Sequence, residues 1–146
     1  MKKFLIAGII ALITITAWYY TRHPIGEKAI INGHTIRLTL AVTEAEKERG
    51  LGYRDSLATD SGMLFVYNHP ERYGFWMKGM RFPLDFIWIN GNKVADLSRN
   101  IPQPANDTIQ PATLAPSVPA DKVLEVNAGV IQSLGIRVGD LVQLVN

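Results

Sequence analysis

The 146-residue chain has no cysteine. It therefore holds no disulfide, no thiolate nucleophile and no cysteine-based metal site. Histidine is scarce. His23, His34 and His69 are scattered, without the HxH or HExxH spacing that places two imidazoles on one metal. A glycine-rich phosphate loop is missing, and Ser56, Ser61, Ser98, Ser117 and Ser133 lack a nucleophile-elbow context. Neither a metal nor a cofactor is expected. An excess of one charge sign is also lacking, with 15 basic and 13 acidic residues and a net charge of +2. Lys2 and Lys3 account for that excess, so the remainder is balanced and nothing points to nucleic acid.

Long apolar runs are missing too, with one exception. Behind Lys2 and Lys3 the chain reads FLIAGIIALITITAWYY from Phe4 to Tyr20. A basic pair before such a run marks an export signal or a membrane anchor. The run lies at the short end of the roughly 17–25 residues that span a bilayer. Trp18, Tyr19 and Tyr20 fall where an interfacial aromatic belt sits, and the positive-inside rule keeps Lys2 and Lys3 in the cytoplasm. Residues 1–21 are thus expected to be a signal peptide or an anchor, residues 22–28 a linker and residues 29–146 one β domain. The domain is expected to be extracytoplasmic, periplasmic or at the cell surface, either secreted or anchored to the membrane through residues 4–20.

Beyond the linker, turn and cap signals divide the chain. Asn32-Gly33 between Ala29–Ile31 and His34–Val42 predicts a β-hairpin. In the second strand Ile36, Leu38 and Leu40 alternate with polar residues. Thr43 and Glu46 form a capping box, so a short helix should run to Arg49 and stop at Gly50. Gly62–Tyr67 reads as a strand closed by Asn68-His69-Pro70, and Phe75–Met77 as a further short strand. Leu84–Ile89 is apolar on both faces, the pattern of a central strand, with Asn90-Gly91 as the next hairpin turn and Lys93–Ser98 as the return strand. Asn100–Ala120 holds five of the eight prolines and is read as a long loop, either a lid or a passive connection. Val123–Val126 is a strand, Asn127 a cap for a helix through Leu134, and Val138-Gly139-Asp140 a turn into a last strand. The fold expected is mostly β: a compact antiparallel β-sandwich or barrel with two short helices, preceded by one N-terminal hydrophobic helix.

The stretch YGFWMKGMRFPLDFIWING, Tyr73 to Gly91, places Lys78, Arg81 and Asp85 among apolar residues. A carboxylate at the edge of a core has to be paired or hydrogen-bonded. Asp85 is expected to pair with a cation, Arg81, Lys78 or Arg49, which leaves Lys78 the freer residue. Glu125 in VLEVN raises the same question. Trp76 is read first as a core residue, with a ligand platform as the alternative.

Five segments in order resemble the DUF-192 family: EAEKERGLGYR, GMLFVY, FWMKGMRFPLDFIWI, VLEVNAG and LGIRVGD. The resemblance implies a compact β-sandwich or barrel, often behind an export signal, with no agreed activity or cofactor. The family's recurring polar positions fall on Arg49, Trp76, Lys78, Asp85, Glu125, Asn127 and Asp140. Gly52 stands where the family usually has Met, and Gly79-Met80-Arg81 follows the FWMK lysine where Asn or Thr is usual.

Together these readings favour a non-catalytic binding module for a small molecule, a glycan or an envelope protein. Its candidate ligand-binding residues are Arg49, Trp76, Lys78, Asp85, Glu125 and Asn127. An enzyme using Asp85 or Glu125 as general base is the alternative, and a structural partner of a membrane complex is a third reading.

Overall fold

A computed structural model describes residues 27–105 and 113–146. The expected leader, and the middle of the proline-rich segment, lie outside them. Among the described residues no helix is long and apolar enough to cross a membrane.

Asn32 and Gly33 take φ of 53° and 79°, as a two-residue hairpin turn requires, and join β1 (Lys28–Ile31) to β2 (His34–Ala41). The capping box forms: the Thr43 hydroxyl accepts from the Glu46 N–H, and the Glu46 carboxylate accepts from the Thr43 N–H at 2.9 Å. It starts α1 (Glu44–Arg49), which Gly50 ends at φ 50°. Next come β3 (Ser61–Glu71), β4 (Leu84–Asn90), β5 (Lys93–Ile101), β6 (Ala120–Asn127), α2 (Val130–Ser133) and β7 (Val142–Val145).

The seven strands make one curled sheet in the order β5-β4-β6-β3-β2-β1-β7, a half-barrel rather than two stacked sheets. Its pairs are antiparallel except β2 with β3, whose parallel pairing needs a crossover that α1 and the loop behind it supply. The two edge strands meet at one corner. There Lys93 bridges Leu141, and the Val94 N–H donates to the Asp140 carbonyl at 2.9 Å. Asp140 holds that turn: one carboxylate oxygen accepts from the Arg137 N–H and the Asn32 amide, both at 2.8 Å.

β4 is interior, as its two apolar faces predict. Leu84, Phe86 and Trp88 join one buried cluster, with Phe65 and Phe75; Ile87 and Ile89 join the other, with Ile31 and Ile131. Four local expectations are corrected. β3 does not close at Asn68-His69-Pro70 but continues to Glu71; its register shifts after Val66, and such an irregularity accommodates a proline that has no N–H to donate. The second hairpin turns at Gly91-Asn92, one residue later than expected, because Asn90 pairs with Lys93. In Phe75–Met77 only Phe75 pairs, in an isolated bridge to Leu114. Asn127 does not cap the last helix, which begins only at Val130. Its amide donates instead to the Leu57 and Ala58 carbonyls, at 2.9 and 3.3 Å, tying the loop after α1 to β6.

The cap that Asn127 does not give comes from Asp85. This carboxylate is buried, yet no cation pairs with it among the described residues. Its Oδ1 accepts from the Asn100 N–H at 2.7 Å and its Oδ2 from the Ile131 N–H at 2.9 Å. Gly129, at the N-cap position of α2, has no side chain to satisfy that donor. Arg81, one of the expected partners, pairs with Asp55 on the surface. Asn in place of Asp85 keeps one acceptor and turns an NH2 group toward a backbone donor. We expect Asp85→Asn to lower stability by about 2–4 kcal/mol, read as a lower urea midpoint at unchanged m-value.

Candidate functional site

Asp85 faces one side of the sheet, and a cleft opens on the other. Its volume is about 620 Å³, within the usual range of about 300–1,000 Å³ for small-molecule sites. One wall is the end of α1 and the turn after it. The other is the segment from Tyr73 to Met80, and Glu125 of β6 lies at the bottom.

Two glycines shape this rim. A Cβ on Gly52 would lie 3.1 Å from the carbonyl oxygens of both Arg49 and Lys78, so the two backbones approach closely there. Gly79 turns at φ 69° under the Tyr53 ring, where a Cβ would come within 2.8 Å, and its carbonyl accepts from the Tyr53 N–H at 2.8 Å. Residues on α1 and on the FWMK segment, far apart in sequence, thus share one mouth.

Of the six candidate residues, Arg49, Trp76, Lys78 and Glu125 line this cleft. Asp85 and Asn127 do not; both are committed to holding backbone. Trp76 is not a core residue, being 47% exposed, and the Lys78 ammonium lies 5.9 Å from its ring centre. Among the described residues no carboxylate lies within salt-bridge distance of Arg49 or Lys78, whereas Lys47 is held by Glu44 at 3.0 Å.

Glu125 is the unusual group. Its strand neighbours across the sheet are Met63 and Phe86, and it is 4% exposed. Its Oε2 is buried without a hydrogen-bond partner among the described residues. Burial alone pushes the carboxyl up from about 4.5 to about 8, since an ion there would lose its hydration with no compensating charge. At neutral pH it is largely a neutral acid with one donor and one carbonyl acceptor.

The aromatic side of the cleft was not legible in the chain. Tyr67 and Tyr73 stack with ring centres 3.6 Å apart, the Lys47 ammonium lies 4.4 Å from the Tyr67 ring centre, and the Tyr73 hydroxyl donates to the His69 carbonyl at 2.9 Å. Burial raises the Tyr67 phenol well above its ordinary value. The only sequence signal was that tyrosines flank Asn68-His69-Pro70, and reading those three as the end of a strand hid the stack.

The model of the DUF192 family, described as "Uncharacterized ACR", matches residues 27–144. No curated protein matches. Similar solved structures include two of 30% identity or more. One is a protein of unknown function from Novosphingobium aromaticivorans DSM 12444, 32% identical, with a TM-score of 0.71 over 80% of this chain and 83% of that one. The other, a candidate transcription regulator from Sinorhizobium meliloti 1021, is 30% identical, with a TM-score of 0.70 over 80% of this chain and 90% of that one.

The raised Glu125 carboxyl makes stability depend on pH. Below about pH 4.5 folded and unfolded chains are both protonated there. Between about 4.5 and 8 only the unfolded chain ionises, so folding loses stability as pH rises, and the loss levels off above about 8. Unfolding of Glu125→Gln measured from pH 4 to 9 should lack this slope. Glu125→Leu should exceed the wild type at pH 8 by roughly 3–5 kcal/mol.

Proposed function

This chain belongs to the DUF192 family, and we propose that its cleft is a binding site for a small organic ligand. One observation carries the reading. A carboxyl group is kept at the bottom of an open cleft, buried and with an unpartnered oxygen, at a cost in stability. Protein interiors seldom leave such an atom unmatched, and a site for a ligand is a specific reason to do so. Trp76 forms an exposed aromatic wall, and Lys78 and Arg49 offer donors at the mouth. The domain acts as a binding module outside the cytoplasm. That placement is supported by the basic pair and apolar run of residues 2–20. The glycan and envelope-protein readings gain no support from a cleft of this size.

A second reading rests on Glu125 as well. A carboxyl that exchanges its proton near pH 8 suits a general acid or base. Asp85 drops out of that role, because both of its oxygens are engaged.

A screen of polar fragments by ligand-observed NMR tests the binding reading. Fragments should bind the wild type, weaken at least about fivefold on Trp76→Ala or Lys78→Ala, and be unaffected by Leu141→Ala on the far edge. Hits that respond to none of these substitutions, or to Leu141→Ala alone, refute it.

A further inference from the structure

The cleft has three zones from mouth to floor, and each limits what fits. The mouth carries Arg49 and Lys78, both exposed. Among the described residues Glu48 is the unpaired carboxylate nearest in kind on the same lining, since Glu44 is engaged by Lys47. Two free cations against one free carboxylate leave a positive excess. Cations that find no internal partner at a concave site attract an anion. Part of the wall between mouth and floor is apolar: Leu51, Phe65, Phe75 and Met80 are all buried residues whose surfaces line it, beside the more polar Tyr67, Asn68, His69 and Tyr73. A ligand with many hydroxyls would leave most of them unmatched there, so a sugar acid fits poorly. At the floor, Glu125 brings one O–H donor and one acceptor. A hydroxyl, which both donates and accepts, answers both functions. An ammonium group does not, because it has no acceptor and requires the carboxyl to ionise in an apolar setting.

Resting on the binding-site reading above, we infer that the cleft takes hydroxylated organic anions with an apolar body. The acidic group lies at Arg49 and Lys78, the apolar body along Phe65 and Phe75, and a single hydroxyl against Glu125. Trp76 serves this ligand class as a wall of the mouth.

A matched series separates the three zones. The full chain in lipid nanodiscs is titrated calorimetrically with 4-hydroxyphenylacetate, phenylacetate, tyrosol, tyramine and glucuronate. The first carries acid, ring and hydroxyl. The others lack the hydroxyl, replace the acid by an alcohol, replace it by an amine, or replace the ring by a sugar. 4-Hydroxyphenylacetate should bind best, with tyrosol and phenylacetate each about tenfold weaker. Tyramine and glucuronate should not saturate. Arg49→Gln with Lys78→Gln should bring 4-hydroxyphenylacetate down to the level of tyrosol. Glu125→Leu should erase the preference for 4-hydroxyphenylacetate over phenylacetate, while Glu125→Gln, which keeps a donor and an acceptor, should retain it. If tyrosol, tyramine or glucuronate binds as well as 4-hydroxyphenylacetate, and Trp76→Ala weakens that binding, the ligand class is wrong and the binding site stands. If none of the five binds, both fall.

Discussion

The two hydrogen bonds accepted by Asp85 set much of this architecture. β4 is the strand with apolar residues on both faces, so any polar group on it must be satisfied by partners brought to it: Ser98 Oγ accepts from the Trp88 indole N–H at 3.0 Å, and backbone serves Asp85. Asp85 receives one N–H from the end of β5 and one from the start of α2. Asn100 turns there at φ 53°, in the left-handed region that asparagine adopts more readily than most side chains. The same carboxylate thus fixes where the chain leaves β5 and where the last helix begins. A charge-assisted bond to a backbone donor does this without a cation. No arginine or lysine has to be buried beside it, and the basic residues of Tyr73–Gly91 are left for the surface.

The two buried carboxylates make a useful contrast. Asp85 and Glu125 lie on adjacent strands, on opposite faces of one sheet, and both are almost wholly buried. Asp85 is matched on both oxygens. Glu125 has an oxygen that nothing meets among the described residues. A purely structural carboxylate is expected to resemble the first. The second resembles a group held ready, because replacing it by an apolar residue of similar volume would remove a penalty and fill the same space. Its position reinforces this. It lies where the cleft reaches the sheet, rather than in the closed cluster behind β4.

Much of the fold was legible because its signals are local. Asn32-Gly33, the Thr43–Glu46 capping box and the two-faced alternation of Leu84–Ile89 each depend on neighbours within a few residues. The site was legible only in part. Arg49, Trp76, Lys78 and Glu125 line one cleft, but what brings them there are backbone contacts at Gly52 and Gly79 that no periodicity announces. Asp85 was read correctly as a group needing partners and wrongly as a group needing a cation. Its donors sit at separations of 15 and 46 residues, and backbone donors carry no residue signature. Trp76 failed for a related reason. Between Phe75 and Met77, both buried, alternation alone turns it outward, yet its size and apolar neighbours argued for the core.

The distribution of ion pairs bears on what the mouth of the cleft is for. Elsewhere on the surface three cations are matched, whereas Lys28, Arg54, Arg72, Lys93, Arg99 and Arg137 have no salt bridge among the described residues. Arg37 meets Asp60, Arg81 meets Asp55, and Lys122 meets Asp121. Even within the cleft Lys47 is taken up by Glu44 and the Tyr67 ring. Such surface pairs contribute little stability each, so their absence around Arg49 and Lys78 costs the fold little. It does change the potential at the mouth. With Glu125 largely neutral below about pH 8, no carboxylate at the floor offsets those two cations. The burial that makes Glu125 a poor contributor to stability therefore also leaves the positive potential of Arg49 and Lys78 unopposed from below.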